Sequence, residues 1–302
     1  MNADKLLANS EIVLKGHILN WLWRPRLERR KVRGEATAAA WFRYLKRYVP
    51  KELPRIEPAS DPHEYAFSIW LQGRASAPPV VRSCFRSAEM HSRLPLRILG
   101  EGEVLSLVEL PDYILEKYRA GKISPAHFTD ICRVALLCKF GGVWLDATDF
   151  LQRTLPQSLI DEDVFIYLGG DKVLGSYAFV QNCFIRARRG NPLMLAWLGA
   201  MYAYWKEEDK TVDYFVHQML FRVVVEGNAE ARAEFAKMRK CVQDPTHLLW
   251  YQYGDQPFDA KVYDELASKA LFQKTDYKSS RAHNPIPGSF AEYLLDFPRD
   301  RR

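Results

Sequence analysis

Large apolar side chains alternate with smaller ones along Tyr65-Ala66-Phe67-Ser68-Ile69-Trp70, a period of two that predicts a β-strand, and Gly73 with Pro78-Pro79 marks its end. Val80, Val81, Cys84, Phe85 and Ala88 then fall at helical spacing, and Leu94 to Leu99 supplies a second short strand before Gly100. Strand, helix, strand in that order predicts parallel strands joined by a crossover helix. Further strands are expected over Val164–Leu168 and Tyr177–Ile185, and helices over Pro192–Trp205, Val212–Val225 and Ala229–Met238. The tail from Ala270 has no clear period.

Residues 1–58 read differently. They are expected to be helical and amphipathic, with Trp21, Leu22, Trp23, Leu27, Trp41, Phe42, Tyr44 and Leu45 set among Arg and Lys, a mixture that suits an interfacial helix. Prolines at 50, 54, 58 and 62 then break the pattern as a linker does. Two units are therefore expected: a basic helical extension, 1–58, and an α/β domain, 59–302, with a central, mostly parallel sheet flanked by helices.

The most informative unit lies between. Ser124 suits a helix cap and Pro125 the first turn, Phe128, Ile131, Ala135 and Cys138 form an apolar stripe, and Gly141-Gly142 stops the helix. Val143-Trp144-Leu145 is a short buried strand with the polar cluster Asp146-Ala147-Thr148-Asp149 at its carboxyl end, where open parallel sheets bind ligands.

Composition narrows the class. With 302 residues and 48% hydrophobic content the chain can bury a substantial core. No apolar run reaches the ~18 residues of a membrane span, and the first residues lack the layout of a secretory signal. These features predict a cytoplasmic protein. Cys84, Cys132, Cys138, Cys183 and Cys241 follow no zinc-like spacing, so reduced thiols are expected. The net charge of +6 is concentrated: residues 22–56 carry eleven Arg and Lys against three Glu. That segment is either a solvated surface or a peripheral contact with anionic lipid at the inner membrane face; no nucleic-acid motif accompanies it.

On the expected helix, Asp130 and Arg133 stand one turn apart on one face. They form either a structural ion pair or an acceptor and planar donor fork for sugar hydroxyls and phosphate oxygens. Asp146 emerges from a hydrophobic strand and needs a cation, a donor or solvent, whether as a turn residue or as a ligand of Mg2+ or Mn2+. If the strand stays extended, Thr148 shares the side of Asp146, and Asp149 joins them only if the backbone turns at once.

These residues resemble a known group. The segment His127 to Thr148, HFTDICRVALLCKFGGVWLDAT, is similar to the signature of the capsular polysaccharide synthesis proteins, which are related to glycosyltransferases with a DXD sugar-binding region. Similar stretches recur at Ile69–Phe85, Leu110–Ser124, Asn182–Met194 and Phe272–Lys278. The resemblance implies a GT-A-like nucleotide-sugar-binding fold and a glycosyltransferase that retains anomeric configuration, with a glycan or lipid-linked glycan as acceptor. It makes Asp130 and Arg133 similar to the pair holding donor sugar and phosphate, and Asp146 similar to the first acid of DXD, with Thr148 replacing the last. It implies Mn2+ or Mg2+ as cofactor, and an aromatic near the base at Trp70, which equally suits a core position. Lys274 and Lys278 are candidate diphosphate cations or plain surface lysines. Asn182 and His217 are candidates to face the acceptor. A non-catalytic nucleotide- or glycan-binding scaffold is the competing reading, favoured by Thr148, with a metal-dependent phosphotransfer enzyme as a third.

Overall fold

Among the described residues there are seven strands: β1 (Ala66–Ile69), β2 (Leu96–Leu99), β3 (Gly142–Leu145), β4 (Asp149–Phe150), β5 (Val164–Leu168), β6 (Val180–Ala187) and β7 (Gln273–Lys274). The computed structural model describes residues 40–170 and 179–298. Five strands form one sheet in the order β2-β1-β3-β6-β5. β1 runs parallel to both β2 and β3, whereas β6 is antiparallel to β3 and β5. Four strands thus share a direction and β6 opposes them, giving the mixed α/β architecture with a mostly parallel central sheet.

The period of two sorts side chains onto two faces. Phe67, Trp144, Ile166 and Ile185 enter the core built by the helices α2 (Pro125–Phe140), α3 (Pro192–Glu207) and α4 (Val216–Gly227), which follow α1 (Pro79–His91). Ala66, Val143, Leu145, Phe165 and Phe184 point to the opposite face, where Ala88 of α1 packs. Both faces are covered, so β1 and β3 are buried at every residue, as the strands of covered parallel sheets are.

The basic segment is partly core. Trp41, Phe42, Tyr44 and Leu45, expected on an interfacial face, are instead buried in the same core as Trp197 and Leu220. The hydroxyls of Tyr44 and Tyr48 both donate to Glu208, which gives these tyrosines buried polar partners. Their rings therefore cover apolar surface of the protein itself rather than lipid. Trp21, Leu22, Trp23 and Leu27 lie outside the described residues. The proline-rich stretch that follows is strapped to the body, Arg189 donating to the carbonyls of Ala59 and Asp61. Four of the five cysteines are buried, and all are free thiols.

The entry into β3 rests on two glycines. Gly141 and Gly142 have φ of 70° and 104°, the region that glycine alone enters without strain. This turn brings β3 against the start of β1, where Val143 donates to the carbonyl of Tyr65. A methyl group at Gly142 would stand 2.0 Å from the Tyr65 carbonyl oxygen. Gly142→Ala is expected to cost about 3 kcal/mol or more through backbone strain and this clash, read as a lowered urea midpoint; an unchanged midpoint would refute the close approach.

Candidate functional site

The site forms where β3 ends and α2 begins. Ser124 caps α2, its hydroxyl accepting from the backbone N–H of His127, and Pro125 occupies the first turn. Alternation along β3 puts Trp144 and the following Asp146 on the face that α2 covers. The backbone then turns: the N–H of Asp149 donates to the carbonyl of Asp146 at 2.9 Å. That turn is the condition under which Asp149 joins Asp146, and the Asp149 carboxylate indeed accepts from the Asp146 N–H at 3.2 Å.

One guanidinium ties two elements together. Arg133 Nη2 lies 3.0 Å from Asp130 Oδ1 and 3.1 Å from Asp146 Oδ1. Its Nη1 donates to the carbonyl of Asn182 on β6, and its charge lies 4.7 Å from the centre of the Trp144 ring. Trp144 in turn donates from Nε1 to Asp146 Oδ1 at 2.9 Å. Arg133 is buried, and its Nε finds no partner among the described residues.

Asp130 is held from three sides. Asn182 Nδ2 donates to Oδ1 at 2.9 Å, and Gln218 donates to the Asn182 side-chain oxygen at 3.1 Å. His217 Nδ1 stands 2.9 Å from Asp130 Oδ2, while Trp205 Nε1 donates to His217 Nε2 at 3.0 Å. Because an indole nitrogen only donates, Nε2 must be bare and Nδ1 must carry the proton given to Asp130. Burial pulls the His217 pKa below its ordinary value, so this imidazole is neutral. Burial alone would raise the Asp130 carboxyl, but Arg133 and His217 outweigh it and hold it below the usual carboxylate range.

A second cation completes the cluster. β4 pairs with β7, setting Asp149 opposite Lys274. Lys274 Nζ lies 2.7 Å from Asp146 Oδ2 and 3.1 Å from Asp149 Oδ1. Burial disfavours its charge, yet the two carboxylates prevail and hold its pKa well above the ordinary lysine value. Burial pushes the Asp149 carboxyl up to about 7, an effect that Lys274 opposes.

A cleft of about 510 Å³ opens over this floor at the carboxyl ends of β1 and β3. Asp130, Arg133, Asp146, Thr148 and Asn182 line it, with Trp70 on one side. The Trp70 and Tyr277 rings meet edge to face at 5.4 Å. Lys278 is exposed, its ammonium 5.6 Å from the Tyr277 ring centre and outside the network. His217, expected to face an acceptor, is instead fully buried beneath Asp130; the carboxylate it serves lies between it and the cleft. Sequence reading missed Trp144, Gln218, Tyr277 and Tyr214 as cleft residues. Trp144 was accessible to it, since alternation places residues 144 and 146 on one face.

The acids offer a test of the expected divalent ion. Asp146, Asp149 and Cys183 bring one potential ligand atom each within 4.8 Å of one another. The set suits a hard cation poorly. Burial raises the Cys183 pKa well above its ordinary value, keeping it a thiol, and Mg2+ or Mn2+ prefer oxygen. Each carboxylate oxygen of the pair already accepts from a protein donor, and an ammonium bridges the two acids.

A model of the capsular polysaccharide synthesis protein family matches residues 24–294. The chain belongs to this family. As a capsular polysaccharide synthesis protein it is also 30% identical, over 100 residues, to the O-glycosyltransferase braB of Annulohypoxylon truncatum, a match covering 31% of this chain and 24% of braB. The chain thus spans about a quarter of the length of that relative. A solved structure, PaToxG Glycosyltransferase, is similar with a TM-score of 0.40 and 14% identity, over 70% of this chain and 86% of that one.

In this capsular polysaccharide synthesis protein the neutral His217 carries a pH signature. With its pKa lowered by folding, the unfolded chain takes up a proton that the native state refuses as pH falls through about 6.5. Stability from this group is therefore present above that pH and lost below it. Urea unfolding between about pH 7 and 5 should show wild type losing more stability than His217→Gln, whose amide still donates to Asp130; parallel profiles would contradict the neutral tautomer.

Proposed function

We propose that this protein is a GT-A-like glycosyltransferase, moving a sugar from a nucleoside-diphosphate sugar to a glycan or lipid-linked glycan acceptor in surface polysaccharide synthesis. The observation that carries this reading is the joined Asp130–Arg133–Asp146 network on the floor of an open cleft at the strand ends. A purely structural ion pair needs no such cleft. Family membership supports the biosynthetic setting.

The roles follow from the chemistry of each group. Trp70, with Tyr277 against it, offers the aromatic surface for a nucleoside base. Asp130, fixed by His217 and Asn182, accepts from sugar hydroxyls, and Asp146 does the same from the other side of Arg133. In transfer, the bond from the anomeric carbon to the phosphate oxygen breaks and its electron pair stays on the diphosphate. The acceptor oxygen forms the new bond and gives up its proton to the departing diphosphate. Fixed cations aimed at the growing negative charge lower the barrier, and Arg133 is the one that faces the cleft. Retention of anomeric configuration belongs to the same proposal and is read from the product anomer by NMR. Mn2+ or Mg2+, implied by the resemblance, would enter through Asp146 and Thr148, in competition with the contact that Lys274 makes.

Residues 1–58 extend the proposal to the inner membrane face, where their basic part would meet anionic lipid. No helix among the described residues is long and apolar enough to cross a membrane.

The purified protein is expected to release nucleoside diphosphate from at least one member of a nucleotide-sugar panel. Asp146→Asn keeps the side-chain shape but removes its charge, and should lower turnover by about 100-fold or more while circular dichroism stays unchanged. Turnover equal to wild type would remove Asp146 from the mechanism, and donor binding without any turnover would favour a scaffold.

A further inference from the structure

We propose that Lys274 is a resident cation standing in for a divalent metal at the Asp146–Asp149 pair, so that donor binding and transfer proceed without a metal ion. The use of this cation in transfer rests on the glycosyltransferase reading; the exclusion of metal does not.

Three features place the ammonium there by construction. First, the backbone positions it: Asp149 pairs with Lys274 across the β4–β7 ladder. The next residue reinforces this, Thr275 donating to the Thr148 carbonyl from its backbone N–H at 2.8 Å and from its hydroxyl at 3.0 Å. Second, the ammonium reaches both acids, at 2.7 and 3.1 Å, and its side chain is 17% exposed. A divalent ion bound to Asp146 Oδ2 at about 2.1–2.5 Å would sit beside that ammonium, cation against cation, with little water to screen them.

Third, the remaining donors are poor. Asp146 Oδ1 already takes Arg133 and Trp144, and Asp149 Oδ2 takes a backbone N–H. Cys183, the third group of the cluster, accepts from Gln181 Nε2 at 3.1 Å and offers sulfur where a hard ion needs oxygen. At position 148 stands a neutral hydroxyl rather than a further carboxylate. Asp146 is thus neutralised by two fixed protein cations, one facing the cleft and one behind it.

Removing the ammonium should expose the difference. In the full chain, free Mn2+ is followed by electron paramagnetic resonance for wild type, Lys274→Ala and Lys274→Met, and nucleotide-sugar turnover is measured in EDTA with Mn2+ restored afterwards. Wild type is expected to bind Mn2+ only weakly and to keep its turnover in EDTA within about twofold. Either variant frees the carboxylates and should bind Mn2+ about tenfold or more tightly than wild type, with turnover in EDTA reduced about tenfold and partly recovered by Mn2+. Micromolar Mn2+ binding by wild type that disappears in Asp146→Asn, or wild-type turnover abolished by EDTA and restored by Mn2+, would overturn the proposal. If no nucleotide sugar is turned over, the glycosyltransferase reading fails, yet the Mn2+ titration of wild type still decides whether the ammonium keeps metal out.

Discussion

Buried charge that must be paired organises this molecule. An arginine side chain 6% exposed sits between two aspartates drawn from different elements and supplies a counter-charge to both the buried Asp130 and the half-buried Asp146. Satisfying that constraint ties α2 to the end of β3, where the floor of the cleft lies. Surrounding groups serve the same purpose: Trp144 and Asn182 supply donors, and His217 is neutral because burial makes a further charge there costly.

The layering of the site follows from this. Two carboxylates that line the cleft are backed by groups that do not: Asp130 by His217, itself held by Trp205, and Asp146 by Lys274. Such backing lowers the conformational freedom of a polar site before any ligand arrives, and preorganised donors and acceptors are the ones that act strongly on developing charge.

Much of this was legible from residue order. The helix–GG–strand unit located Asp130, Arg133 and Asp146 because capping, apolar period and glycine punctuation are local signals. Alternation likewise recovered β1, and the short apolar stretches at β3 and β5 were expected as strands. The misreadings concern long-range packing. His217 on a helix has no local mark of the carboxylate 87 residues away that it serves. The aromatics of residues 41–45 carry the composition of an interfacial helix, and only the tertiary fold shows that they meet α3 and α4 instead. The bridge from Lys274 to Asp146, spanning 128 residues, depends on a two-residue ladder too short to announce itself by period.

That short ladder also ties remote stretches of the chain into one unit. The acid pair at the end of β3 acquires its second counter-charge from a segment more than a hundred residues downstream. Asp149, buried, shares that same lysine, so the floor of the cleft is complete only when both distant stretches are in place. An intact cleft therefore reports that remote parts of the polypeptide have come together.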